Sequence, residues 1–200
     1  TAHSSGIQPL RDRAARPVTL RAATPADAAA LAAIYAPYVT DSIVSFETDP
    51  PSVEEMQARI EACGDRYPWL VAVDPAGAIL GYAYASPFRP RLAYRYSVET
   101  TVYLAADAGG KGIGRRLYGS LIETLIAQGF AQAIGAVTLP NPASVRLHER
   151  LGFVEAGVYR QVGYKMGRWL DVGLWQRAVA PATNPPSTPK SLSEAGFRLV

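Results

Sequence analysis

Cysteine is almost missing: Cys63 is the only thiol in 200 residues. A single cysteine excludes an intramolecular disulfide and a cysteine-rich zinc site. Histidine is as scarce, with His3 and His148 alone, so no metal is expected at any functional site. Long apolar runs are lacking too. The longest, Ala28–Ala36, falls far short of the roughly 20 residues that cross a bilayer, and no charged-then-apolar signal segment opens the chain. The expectation is a cytoplasmic protein in a reducing setting, with no membrane partner. Charge of one sign is missing from the body of the chain. The net +3 comes from Arg11, Arg13 and Arg16 against Asp12 near one end and Lys190 and Arg198 against Glu194 near the other, so residues 18–180 balance to zero. A footprint for phosphate backbones would cluster in the folded part, so no nucleic-acid partner is expected.

What is present suits a folded domain: 48% of residues are hydrophobic and 18% charged, outside the range of disordered chains. Residues 1–17 lack apolar periodicity and read as a flexible N-terminal extension. Residues 181–200, rich in proline and serine, read as a flexible C-terminal tail. Between them, 18–180 reads as one domain.

Val18–Ala22 alternates as a strand. Thr24-Pro25-Ala26-Asp27 carries helix-start signals, and a helix should run to about Tyr38. Ser52-Val53-Glu54-Glu55 is a capping box for a second helix ending near Cys63. Trp69–Val73 and Ile79–Ala85 form a hairpin across Pro75-Ala76-Gly77. Val98–Ala105 is apolar on both faces at its end, hence central. A long helix follows from Ile113 to Gln128, then strand Ala131–Leu139. Asn141 and Pro142 start a short helix that Gly152 ends. Phe153–Tyr164 and Asp171–Val179 close as an antiparallel pair. The order β-α-α-β-β-β-α-β-α-β-β indicates an α/β (α+β) domain, one mixed sheet flanked by helices. Trp69, Trp169 and Trp175 read as packing residues.

The densest motif is Ala106-Asp107-Ala108-Gly109-Gly110-Lys111-Gly112-Ile113-Gly114, joining the central strand to the long helix. Glycine-rich backbone at a helix N-terminus suits a pyrophosphate. Ile113 after Gly112 excludes a P-loop, and the spacing excludes a dinucleotide fingerprint. A plain flexible turn is the competing reading. Glu99 sits at the start of the central strand among uncharged neighbours, where burial would raise its pKa into the range of a general base; a strand-end carboxylate facing water or Arg95 is the alternative. Phe88-Arg89-Pro90-Arg91-Leu92-Ala93-Tyr94 holds two arginines and a tyrosine in a proline-broken loop, a set able to bind carboxylate or phosphinate. Phe46 is a candidate pocket wall. Cys63 ends an ordinary capped helix and reads as a packing or surface thiol rather than a nucleophile.

The glycine loop after a central strand resembles the acetyl-CoA signature of the GCN5-related N-acetyltransferases (GNAT). The blocks Arg66–Ala72, Gly81–Ala85, Val98–Tyr103, Leu139–Glu149 and Asp171–Gln176 are similar to the phosphinothricin N-acetyltransferase branch, over about 18–178. The resemblance implies the GNAT fold, acetyl-CoA as co-substrate without a metal, and a homodimer. It implies an acceptor that is a small amino acid of phosphinothricin, methionine sulfoximine or methionine sulfone type, and with it herbicide or antibiotic resistance. It implies Glu99 and His148 as catalytic groups. It also implies CoA contacts from Val102, Tyr103 and Leu104, from the loop residues Gly109, Gly110, Lys111, Gly112, Ile113 and Gly114, and from Arg115 and Asn141. Acceptor contacts would come from Phe46, Arg89, Arg91 and Tyr94. Gly109 departs from the family, which usually has Gln or Arg there; Lys111 is the neighbouring cation. Two other functions stay open on these residues: transfer to protein N-termini or another amine, and a non-catalytic acetyl-CoA sensor.

Overall fold

The computed structural model describes residues 17–200; the N-terminal segment expected to be flexible lies, but for residue 17, outside them. Seven strands form one mixed sheet in the order β1-β2-β3-β4-β5-β7-β6. The strands are β1 Thr19–Ala22, β2 Trp69–Val73, β3 Ile79–Pro87, β4 Ser97–Leu104, β5 Gln132–Leu139, β6 Val154–Lys165 and β7 Arg168–Ala178. The helices are α1 Ala28–Thr40, α2 Val53–Cys63, α3 Ile113–Gln128, α4 Pro142–Arg150 and a single turn, α5 Leu192–Ala195. The expected element order is observed.

Strand alternation divides the core into two layers. On one face Leu70, Ala83, Ala85 and Val98 pack beneath Leu117, Leu121 and Leu125 of α3. On the other, Trp69, Val71 and Tyr82 pack beneath Leu31, Tyr35 and Val39 of α1 and Met56 and Ile60 of α2. The capping box at α2 forms as its sequence requires: Glu55 N–H donates to Ser52 Oγ at 3.1 Å, and Ser52 N–H donates to Glu55 Oε2 at 2.8 Å. Asp27 accepts two hydrogen bonds from Arg21, at 2.7 and 2.8 Å, and one from the Thr24 N–H. That pairing holds its carboxyl below the usual carboxylate range.

One discontinuity shapes everything that follows. Central strand β4 pairs with β3 from Val98 to Leu104. Its parallel pairing with β5 covers only Ser97↔Gln132, Val98↔Ala133 and Glu99↔Ile134. Past Glu99 the two strands separate, while β5 stays paired with β7 from Gln132 to Leu139. The sheet therefore opens a V between β4 and β5.

The C-terminal end departs from the expected flexible tail. Lys190 N–H donates to Gln128 O, Leu192 N–H to Asp65 O, Arg198 N–H to Thr124 Oγ1 and Val200 N–H to Ser120 Oγ. Leu192 is buried and Phe197 packs against the α3 layer. The docking has a local cause: Ser191 and Glu194 form a capping box, and Leu192 and Phe197 supply apolar contact amid the prolines. Trp169 also departs from expectation. It is 61% exposed, whereas Trp69 and Trp175 are buried.

Candidate active site

The V is built by side chains as well as by strand direction. At its apex Thr100 Oγ1 donates to the Tyr118 hydroxyl of α3 at 2.7 Å and shares that proton with Ile134 O at 3.3 Å. Tyr118 reaches His148 Nε2 at 3.0 Å. His148 Nδ1 lies 2.8 Å from Ser144 O, one turn earlier in α4. A carbonyl only accepts, so Nδ1 carries the proton and Nε2 accepts from Tyr118. The ring lies against Gly135, where a Cβ would run into it. Burial keeps His148 below its usual pKa, hence neutral. It also pushes the Tyr118 phenol up. With the residue 4% exposed and both ring nitrogens engaged, His148 holds Tyr118 and Thr100 where the strands part. In this geometry neither nitrogen is free to meet a substrate. Tyr118 is the group that sequence reasoning missed; its only trace was a polar hydroxyl on the buried face of α3.

Glu99 occupies the last paired position before the gap, on the α1–α2 face opposite His148. Its carboxyl is raised above the ordinary value of 4.5, first by burial, with Arg89 acting in the lowering direction. No described cation forms an ion pair with it. Arg95, the alternative partner, bonds Tyr96.

Main-chain groups line the open edge of β4. Ala105 N–H bonds Leu80 O of β3. Backbone groups alternate in direction along a strand, so Tyr103 also faces β3, and Val102 and Leu104 face the gap. Of the three residues expected to present amides, Tyr103 is thus turned away. Leu104 is already touched by Tyr38, whose hydroxyl donates to Leu104 O at 2.7 Å.

Past the open end of β4 lies the N-terminus of α3. Gly112 is its N-cap, at φ +77, with no side chain to cap the first turn. The first intrahelical bond is Arg116 N–H to Gly112 O, so the amides of Ile113, Gly114 and Arg115 lack helical partners. Gly109, Gly110, Lys111 and Gly112 are exposed, and a Cβ at any of the three glycines would meet no protein atom. That empty, uncapped, positive helix end is the environment an anionic diphosphate needs. The side chain of Ile113 is buried in the core and that of Arg115 is exposed. Asn141 spends its side-chain oxygen on Ser144 N–H, 3.1 Å away, as the N-cap of α4.

Three of the expected acceptor residues, Arg89, Arg91 and Tyr94, line one cleft, and Phe46 lies apart from it. Arg89 acts electrostatically on Glu99 and lies 3.4 Å from the Tyr159 hydroxyl of β6. Arg91 and Tyr94 lie on an exposed turn and, with Arg89, Arg66 and Arg95, line a cleft of about 330 Å³. Phe46 is 40% exposed and lies flat on Gly163 of β6. The loop carrying it is fixed by Lys165 Nζ, which donates to Val39 O and Ser45 O, both at 2.6 Å. Cys63 is half-buried, and burial pushes its thiol up, away from nucleophilic character. Among the described residues no His/Cys/Asp/Glu cluster is placed to hold a metal, and no helix is long and apolar enough to cross a membrane.

Comparison with known proteins converges on one family. A family model described as an acetyltransferase (GNAT) domain matches residues 20–174. A phosphinothricin N-acetyltransferase of Streptomyces viridochromogenes is 46% identical over 162 residues, covering 81% of this chain and 88% of that protein. An L-methionine sulfoximine/L-methionine sulfone acetyltransferase of Pseudomonas paraeruginosa is 39% identical, covering 84% and 98%. The crystal structure of a phosphinothricin acetyltransferase from Sinorhizobium meliloti in complex with AcCoA superposes with a TM-score of 0.81 at 38% identity, covering 90% of this chain and 98% of that one.

Proposed function

The chain belongs to the GNAT acetyltransferase family, and from that premise we propose that it acetylates the α-amino group of a small amino acid, by direct transfer from acetyl-CoA in a ternary complex. The carrying observation is the parting of β4 from β5 immediately after Glu99. The split opens a path through the sheet from the uncapped α3 terminus to a carboxylate tuned as a base.

Acetyl-CoA supplies an acyl group activated as a thioester. The chain's residues do the rest. Amides of Ile113, Gly114 and Arg115 hold the diphosphate, with Lys111 adjoining as a cation where the family's Gln or Arg is replaced by Gly109. The open edge of β4, chiefly Val102, grips the pantetheine arm and supplies donors toward the thioester carbonyl. Glu99 accepts the proton that the acceptor's ammonium must lose before nitrogen can attack. Arg89 pairs with the acceptor's carboxylate, holding the amine beside Glu99. His148 is a positioning residue through Tyr118 and Thr100. Cys63 takes no part, which favours direct transfer over an acyl-thiol relay. The phosphinothricin and methionine sulfoximine relatives support the acceptor class. We also propose a cytoplasmic location, a role in resistance to such compounds, and a homodimer covering the exposed Tyr164 and Trp169 of the β6–β7 hairpin.

The test is thiol release from acetyl-CoA across amino acids, simple amines and peptides. Turnover with phosphinothricin, methionine sulfoximine or methionine sulfone is the expected result. Release confined to peptides, or acetyl-CoA binding without release, overturns the assignment in favour of an N-terminal transferase or a sensor.

A further inference from the structure

The loop between α1 and α2 crosses the gap between β4 and β5. It leaves the β4 side at Tyr38 in the last turn of α1, whose hydroxyl donates to Leu104 O. It reaches the β5 side at Val44, whose carbonyl accepts from Thr138 Oγ1 at 3.3 Å. Thr138 lies on β5 beyond Ile134, where β4 has already parted from it. Residues 39–45 are thus a bridge over the split.

The bridge is fastened on both sides. On the β4 side it is tied to the helices packed there. Ser45, 5% exposed, shares a 2.6 Å hydrogen bond with Tyr35 of α1. Glu47 takes both Arg59 N–H groups of α2, at 2.8 and 3.0 Å. On the far side one ammonium holds both ends. Lys165 Nζ of β6 donates to Val39 O and to Ser45 O, each at 2.6 Å, over 126 and 120 positions of sequence. Val39 O belongs to the last turn of α1, where carbonyls lack helical partners and the dipole is negative. Lys165 therefore caps that helix from a distant strand. No carboxylate among the described residues forms an ion pair with it, so its charge is spent on main-chain oxygens. Hydrogen bonds from a cation are roughly twice as strong as neutral ones. Two positions earlier, on the same face of β6, Gly163 seats the Phe46 ring, because a Cβ there would run into it.

We propose that Lys165 is a positioning residue for the transfer: by tying residues 39–45 to β6 it sets the width of the gap in which thioester and amine meet, while touching neither. This role rests on the acetyl transfer proposed above and adds what keeps the two halves of the sheet at working distance. A thioester arm gripped along β4 alone needs a second wall, and a misplacement of about 1 Å costs up to roughly 10²-fold in rate.

Lys165→Met keeps the length of the side chain and removes its charge and donors. Amide hydrogen exchange over 39–48 is followed without ligands; there the Val44 and Glu47 N–H groups bond Ser42 Oγ and Ser45 Oγ. Steady-state kinetics with acetyl-CoA and methionine sulfone, and acetyl-CoA affinity by calorimetry, complete the set. Exchange should quicken several-fold. At a temperature where the variant is folded, kcat should fall at least about tenfold, while acetyl-CoA affinity stays near wild type because the diphosphate is held at the α3 terminus. Gly163→Ala loosens the bridge at Phe46 and leaves the cap intact. It should lower kcat in the same direction, and it should fold, since the ring is 40% exposed and can swing outward. Leu192→Ala, destabilised at a distance from the bridge, should keep the wild-type kcat below its Tm. Unchanged exchange in Lys165→Met shows that the ammonium does not fasten the bridge. Wild-type kcat despite faster exchange shows that the gap is set elsewhere. An equal kcat loss in Leu192→Ala marks general destabilisation. Each of these overturns the assignment. A wild-type protein inactive with every acceptor brings down the proposed function, and the kinetic half of this role with it, whereas exchange still decides the fastening.

Discussion

Replacing Glu99 by Gln tests the base directly, because it removes the titration and keeps the shape. General-base assistance is worth about 10²–10⁴-fold, or about 2.7–5.4 kcal/mol at 1.36 kcal/mol per decade. The upper half of that range is expected here, since burial dominates the tuning of Glu99 and little water can substitute for it. The pH dependence carries the sharper test. Wild-type kcat/KM should rise as pH climbs through the elevated Glu99 pKa, since only the carboxylate accepts a proton. In Glu99→Gln that limb disappears, while acetyl-CoA affinity by calorimetry stays near wild type. Arg89 lowers the Glu99 pKa, so Arg89→Ala should move the wild-type limb to higher pH besides weakening acceptor binding. Stability has the opposite sign. The folded-state pKa lies above the unfolded one, so the native state binds more protons between the two, and stability falls as pH rises through that window. Glu99→Gln should therefore melt higher than wild type at neutral pH, with the gap closing once the pH drops below the ordinary carboxylate range. An acid limb that persists in Glu99→Gln would refute the assignment.

Three other substitutions probe separate parts of the argument. Gly112→Val places a branched side chain at φ +77, a conformation costing L-residues about 1–2 kcal/mol, and fills space beside the uncapped amides; acetyl-CoA affinity should fall at least about tenfold, and a calorimetric Kd like wild type would show the diphosphate lies elsewhere. Gly135→Ala drives a methyl into the His148 ring; overpacking costs about 1–3 kcal/mol, so both Tm and kcat should drop, and an unchanged kcat would sever the Tyr118–Thr100 chain from the chemistry. Leu192→Ala should cost about 2 kcal/mol of denaturant stability, because the side chain is 8% exposed; no loss would mean the C-terminal turn does not dock.

The element order was legible because most signals were local: a capping box at Ser52–Glu55, a proline after Asn141, and alternation in Val18–Ala22. Glu99 and the glycine loop were legible for the same reason, each being a chemical type at a defined place on one strand or helix start. The fate of His148 was not. Its role depends on Tyr118, 30 positions away, and on the absence of a side chain at Gly135, which no local pattern announces. The acceptor loop was legible only in part. Arg89, Arg91 and Tyr94 line one cleft as their clustering suggested, yet Arg89 also acts on Glu99, which no spacing announces. The tail misled: prolines at 181, 185, 186 and 189 masked the Ser191–Glu194 cap and two apolar anchors.

In the proposed reaction, the split between β4 and β5 is what joins the two faces of the sheet into one site. A continuous sheet would satisfy every β4 backbone group in a ladder and leave a wall between the helix dipole of α3 and the aromatic layer under α2. Opening it costs the ladder bonds past Glu99, and unpaired backbone groups are tolerated only where another partner replaces them. Tyr38 does so at Leu104, and Thr100 does so at Ile134. Val102 has no such partner among the described residues, which leaves its amide open on the side of the gap. A Tyr38→Phe variant separates these roles, since it frees Leu104 without touching Val102. If that open amide is what binds pantetheine, acetyl-CoA affinity in Tyr38→Phe should hold or improve while thermal stability falls. A marked loss of affinity without loss of stability would place Tyr38 itself in the cofactor site and contradict the reading of the open edge.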